Sequence, residues 1–151
     1  MYPAVEFTCM LSRILVPMDD SAPAAHALEY ALENHPAAEV TVVNVVGVPS
    51  MMMGEAVGLV LEDDLGEAAA ERAEPVFERA REVATEYDRE IETVVAIGHP
   101  ARAIVERAGD YDTIVIGSHG KHSEGITRRF LVGNVAETVV KRSPIPVTVV
   151  R

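Results

Sequence analysis

At 151 residues with a formal net charge of −11, the chain has the size of one domain and is too acidic for generic binding to nucleic acid or to an anionic membrane. Apolar residues make up 48% of it, enough for a substantial core, yet no apolar run approaches the ~20 residues of a membrane span. Its Cys9 is the single cysteine, so no internal disulfide can form, and the opening MYPAVEFTCM lacks the basic-then-apolar order of a secretory signal; a cytoplasmic location is expected.

Residues 1–9 read as an N-terminal arm and 10–151 as a single domain. The first strand is RILVPM (13–18), and Ser21 then caps a helix with Pro23 in its first turn, running to about Asn34 before Pro36. EVTVVNVV (39–46) is the second strand. The stretch 47–66, with three consecutive methionines, is too long for a simple turn and is expected to be a loop flanking a site. From Ala69, small and apolar residues at 69, 73, 76, 80, 83 and 87 mark one face of a long helix that Pro75 should kink or restart.

IETVVAIG (91–98) is the third strand, followed by a helix from Pro100 to Ala108 that Gly109 is placed to end. YDTIVIG (111–117) is the fourth strand. The last helix spans Asn134 to Arg142, with Lys141 and Arg142 at its C-terminus, and IPVTVV (145–150) is the last strand. The strands are rich in β-branched residues and mostly do not alternate, as in a parallel sheet covered on both faces. The expected fold is α/β, a doubly wound five-stranded parallel sheet in the order 3-2-1-4-5 with helices on both faces. IPVTVV reads as an edge strand, because Pro146 cannot donate to a ladder.

Ligands of open α/β sheets sit beyond the carboxyl ends of the strands where the winding reverses. PMDDS (17–21) and GSHG (117–120) both fall there. Gly117 and Gly120 let the backbone turn and approach a ligand, and Gly133 with Asn134 opens the last helix, whose free N–H groups favour an anion. Lys121, Arg128 and Arg129 make the intervening turn basic, in a segment 121–151 that carries six Lys/Arg against two Glu. His119 is placed to touch a phosphate, and Asp19 to accept hydrogen bonds from a ribose or a base amine. A nucleotide pocket is expected. His119 and His122 with Glu124 could suggest a metal site, but no further Cys/His cluster accompanies them and exposed loop histidines are the reading taken; no trio of nucleophile, base and orienting group marks a catalytic site. Arginine outnumbers lysine eleven to two, which with the acidity suggests a salt-adapted surface.

Three segments in register carry a resemblance over nearly the whole chain. RILVPMDDSAPAAHALEYAL, GHPARAIVERAGDYDTIVIGSHG and LVGNVAETVVKRSPIPVTVVR resemble the opening strand and helix, the Gly-x-Pro helix with its glycine strand, and the closing helix and strand of the universal stress protein family. The resemblance implies an adenine nucleotide alpha hydrolase-like, Rossmann-like fold that binds ATP or AMP, with or without Mg²⁺. It places Asp19 and the Pro17 and Met18 backbone near ribose and base, and Val45 against adenine. Gly117, Gly120, Gly133, Asn134 and the backbone of Val135 and Ala136 would hold the phosphates. It also implies a cytoplasmic homodimer joined through strand 145–150, acting as a non-catalytic stress-response module whose protein partners are unknown. The nucleotide-binding branch carries Gly-x2-Gly-x9-Gly-(Ser/Thr); here twelve residues separate Gly120 from Gly133, and Asn134 takes the hydroxyl position. Slow nucleotide hydrolysis or phosphoryl transfer, and a dimer that works without nucleotide, are the alternatives.

Overall fold

Five runs of β-branched residues become five parallel strands in a computed structural model that describes residues 11–47, 62–118 and 133–151. They are β1 (Arg13–Pro17), β2 (Glu39–Val46), β3 (Glu92–Ile97), β4 (Thr113–Gly117) and β5 (Val147–Val150), in the spatial order β3-β2-β1-β4-β5. Among the described residues, four α-helices connect them: α1 (Ala22–Asn34), α2 (Glu62–Glu86), α3 (Pro100–Arg107) and α4 (Asn134–Arg142). The expected order and winding are both present.

The absence of alternation in the strands follows from burial on both faces. Ile14 and Val16 of β1 join Val40 and Val42 of β2 in a core with α1 and α2; Leu15 and Val43 face the opposite core with α3 and α4. On α2 the predicted stripe Ala69, Ala73, Val76, Ala80 and Val83 is buried, and Tyr87 packs against its end.

Three expectations need correction. The helix is already present at Glu62, so part of the expected loop 47–66 is helical. α2 also passes through Pro75 without restarting. Pro75 and Glu71, whose carbonyl loses its partner to the missing N–H, are both exposed, while the buried stripe continues on the far side. Gly109 does not end α3 in a left-handed cap: a short 3₁₀ turn, Ala108–Asp110, tightens the chain instead and buries Ala108.

At the amino ends of the strands, Asp112 accepts from the N–H groups of Ser12 and Arg13 at 2.8 and 3.0 Å, and the Arg13 guanidinium lies 5.0 Å from the Tyr111 ring centre. The half-buried Arg89 donates to the carbonyls of Leu32, His35 and Ala38, the first belonging to the last turn of α1. The carboxyl ends are thereby left to carry the site. Among the described residues, no helix is long and apolar enough to cross a membrane.

Candidate functional site

β1 ends at Pro17, and the chain turns through Met18 and Asp19 into α1. This turn is tied down on two sides. Met18 is 3% exposed; its N–H donates to the Val43 carbonyl and its carbonyl accepts from Asn44 Nδ2, both at 2.8 Å. The expected ligand contact through the Met18 backbone therefore meets two groups engaged within the fold. Asp19 is half-buried and its Oδ1 accepts the Ser21 N–H at 2.9 Å, forming an Asx turn. Ser21 in turn caps α1, its Oγ accepting the Ala24 N–H at 3.3 Å, as the sequence predicts.

β4 lies beside β1, with Leu15 opposite Ile114, so their carboxyl ends stand side by side. Ser118 follows β4 and is buried; its N–H donates to Val150 at 2.7 Å. Its carbonyl accepts the Gly133 N–H at 2.6 Å, which brings the start of α4 to the end of β4 and closes the base of segment 119–132. Gly133 is the N-cap of α4 and Asn134 its first helical residue. The first intrahelical bond runs from Glu137 N–H to the Gly133 carbonyl, so the N–H groups of Asn134, Val135 and Ala136 form the orphan first turn. Asn134 and Val135 are exposed, whereas the Ala136 side chain is buried in the core below.

Pro17, Met18, Asp19, Gly117, Gly133, Asn134, Val135 and Ala136 thus gather at the carboxyl ends of β1 and β4, and half-buried Val45 lies near the end of β2. His119, Gly120, Lys121, His122, Glu124, Arg128 and Arg129 lie outside the described residues, as do the arm 1–9 and the three methionines. Among the described residues, no group of three or more His, Cys, Asp or Glu could hold a metal ion. Sequence reasoning missed two residues that build the site, Asn44 and Ser118. The signal for Asn44 was its presence inside an otherwise apolar strand; Ser118 had none beyond its place between two glycines.

Gly117 also has a packing role that the sequence did not show. A Cβ there would stand 2.7 Å from the carbonyl carbon and oxygen of Pro23, so its missing side chain admits the backbone of α1. Gly133 is the opposite case, with φ −61° and ψ 156°, ordinary extended values open to any residue.

A doubly wound α/β domain with the Asp19 turn and the N-terminus of α4 at the carboxyl ends of adjacent strands defines the class. Residues 10–151 match the Universal stress protein family, and the chain belongs to that family. It is 33% identical to universal stress protein MJ0531 of Methanocaldococcus jannaschii, across 94% of this chain and 83% of that one. Universal stress protein MJ0577 of the same organism is 28% identical, across 94% and 96%. The solved structure of MJ0577 superposes with a TM-score of 0.74, at 29% identity over 93% of this chain and 96% of that one. A universal stress protein of Archaeoglobus fulgidus in complex with dAMP shares the fold, with a TM-score of 0.62 at 24% identity over 94% and 99% of the two chains.

Proposed function

We propose that this protein is an adenine-nucleotide-binding regulatory module, without catalytic activity, that works as a cytoplasmic homodimer. One observation carries the reading: the α4 cap. Ser, Thr, Asp or Asn would each satisfy first-turn N–H groups from the cap position, and the backbone at Gly133 would accept any of them. A glycine there gives up that capping, and among the described residues no cap side chain satisfies the first turn, as suits a phosphate approaching helix N–H groups. The A. fulgidus likeness is one of fold, so the nucleotide assignment rests on these residues.

In this reading Val45 lies against the base, Asp19 meets ribose or base, and Gly117, His119, Gly120, Gly133, Asn134, Val135 and Ala136 surround the phosphates of ATP or AMP. On the same reading, nucleotide occupancy sets the choice of protein partner. The dimer joins through β5, whose residues are each only half-buried at the sheet edge and which follows Pro146.

The test is to release any co-purified small molecule with acid, identify it by mass, and titrate ATP, AMP and cyclic AMP by calorimetry. Stoichiometric ATP or AMP supports the reading, and Gly133→Val with Asn134→Ala should then weaken binding without unfolding the domain. An empty protein that binds none of the three at millimolar concentration favours a nucleotide-independent dimer. That second reading has its own support in the twelve-residue spacing and in the engaged Met18 backbone.

A further inference from the structure

β2 reads Glu-Val-Thr-Val-Val-Asn-Val-Val, and its asparagine stands third from the carboxyl end. Asparagine is depleted in strands, and at 9% exposure Asn44 takes a primary amide out of water, which costs free energy unless the amide is bonded. Its bond crosses to the neighbouring strand's exit turn. Nδ2 donates to the Met18 carbonyl at 2.8 Å, over a separation of 26 residues. Together with the Met18 N–H on the Val43 carbonyl, this clamps Met18, through the peptides on both its sides, to two consecutive residues of β2.

The next residue along the turn is Asp19, and the next along β2 is Val45. Asp19 is held from its other side by the Ser21 N–H on Oδ1, and Ser21 belongs to the α1 cap. β2 is itself fixed to β3 through Asn44 opposite Val95 and Val45 opposite Ala96, and Gly98 N–H closes onto the Val46 carbonyl at 3.0 Å. The Met18 clamp therefore joins the strand that carries Val45 to the turn that carries Asp19.

We propose that Asn44 is a positioning residue for the nucleotide site, one that touches no ligand and sets the height and direction of Asp19 relative to Val45. The inference rests on the nucleotide reading of the crevice. Without the Nδ2 donor, the buried Met18 carbonyl loses its partner and the turn gains freedom that ligand binding must remove. The loss should appear in affinity and should pass through Asp19.

Calorimetric titration of ATP into the full chain tests this with Asn44→Leu, Asp19→Ala and the double variant. Asn44→Ser, too short to reach the Met18 carbonyl, serves if Asn44→Leu does not fold. Asn44→Leu or Asn44→Ser should weaken ATP about tenfold, the scale of one hydrogen bond. In the Asp19→Ala background the same change should matter less than about twofold, because residues acting through one another are not additive. Asn44→His, whose Nδ1–H lies as many bonds from Cβ as the amide Nδ2, should recover most of the affinity. Unchanged affinity in Asn44→Leu or Asn44→Ser overturns the proposal, and so do losses that multiply in the double variant, which would mark a purely structural residue. Wild-type protein that binds no adenine nucleotide overturns the site reading itself, and this proposal with it.

Discussion

The position of a Cβ on Gly117 lies 2.7 Å from the Pro23 carbonyl carbon and 2.9 Å from the Ala24 nitrogen, so the first turn of α1 meets the last residue of β4 backbone to backbone. The missing side chain of Gly117 thus lets α1 sit directly on the end of β4.

Gly117→Ala should therefore destabilise the protein by about 1–3 kcal/mol, the usual range for overpacking, since backbone rather than a flexible side chain must yield. Thermal and urea unfolding would measure it. A variant as stable as the parent would show that α1 can shift away from β4 at no cost.

Asp88 is the one non-glycine residue with positive φ, 53°, among the described residues, and it closes α2. Arg89 N–H reaches the Ala84 carbonyl at 2.9 Å and Asp88 N–H the Thr85 carbonyl at 3.0 Å, the bond pair of a Schellman cap. A glycine suits that position, and a carboxylate opposes the helix dipole there. Asp88→Gly should stabilise by about 0.5–1 kcal/mol, read as a higher urea midpoint at unchanged slope.

On α4, Lys141 Nζ donates to Glu137 Oε1 at 2.7 Å. That hydrogen bond first, and the lysine charge second, lower the Glu137 pKa below its ordinary value. A depressed folded-state pKa stabilises above the ordinary carboxylate range, and the stabilisation is lost as pH falls through the depressed value. Both groups are exposed, so the effect on unfolding should be small and salt-sensitive. Lys141→Met should raise the Glu137 midpoint in an NMR titration of its side-chain carboxyl carbon; an unmoved midpoint would show that the pair does not persist in solution.

α2 carries nine acidic residues against three arginines, and α1 adds Glu29 and Glu33. Where the two helices meet, the Tyr87 hydroxyl pKa is raised, first by desolvation and then by Glu29, Glu33 and Glu86. Like charges gathered on one face repel in the folded state, and salt screens them. The melting temperature should rise between about 0.1 M and about 1 M KCl, as the screening length falls from about 10 Å to about 3 Å. A flat or falling profile would mean that the mixed arginines already balance the face.

Where residue type and local spacing decide the outcome, the structure follows the sequence closely. Ser21 caps α1, α4 spans Asn134–Arg142, and β2 spans Glu39–Val46, each as read from the chain. Capping chemistry, proline placement and β-branched runs act within a few residues. Pro75 and Gly109 misled because their effects were judged locally. The stripe from Ala69 to Val83 carries α2 past the proline, and burial of Ala108 tightens the end of α3.

The sequence by itself determined the strand runs, the helix caps, the two-faced burial and hence the winding, because periodicity and turn chemistry are local properties of the chain. Only the tertiary structure decided what each crevice residue does. Gly117 admits the backbone of α1, Met18 is clamped by Asn44, and Ser118 holds the start of α4, since these contacts join residues far apart in sequence. Hydrogen bonds across such distances depend on where whole elements come to rest, and no local pattern encodes that.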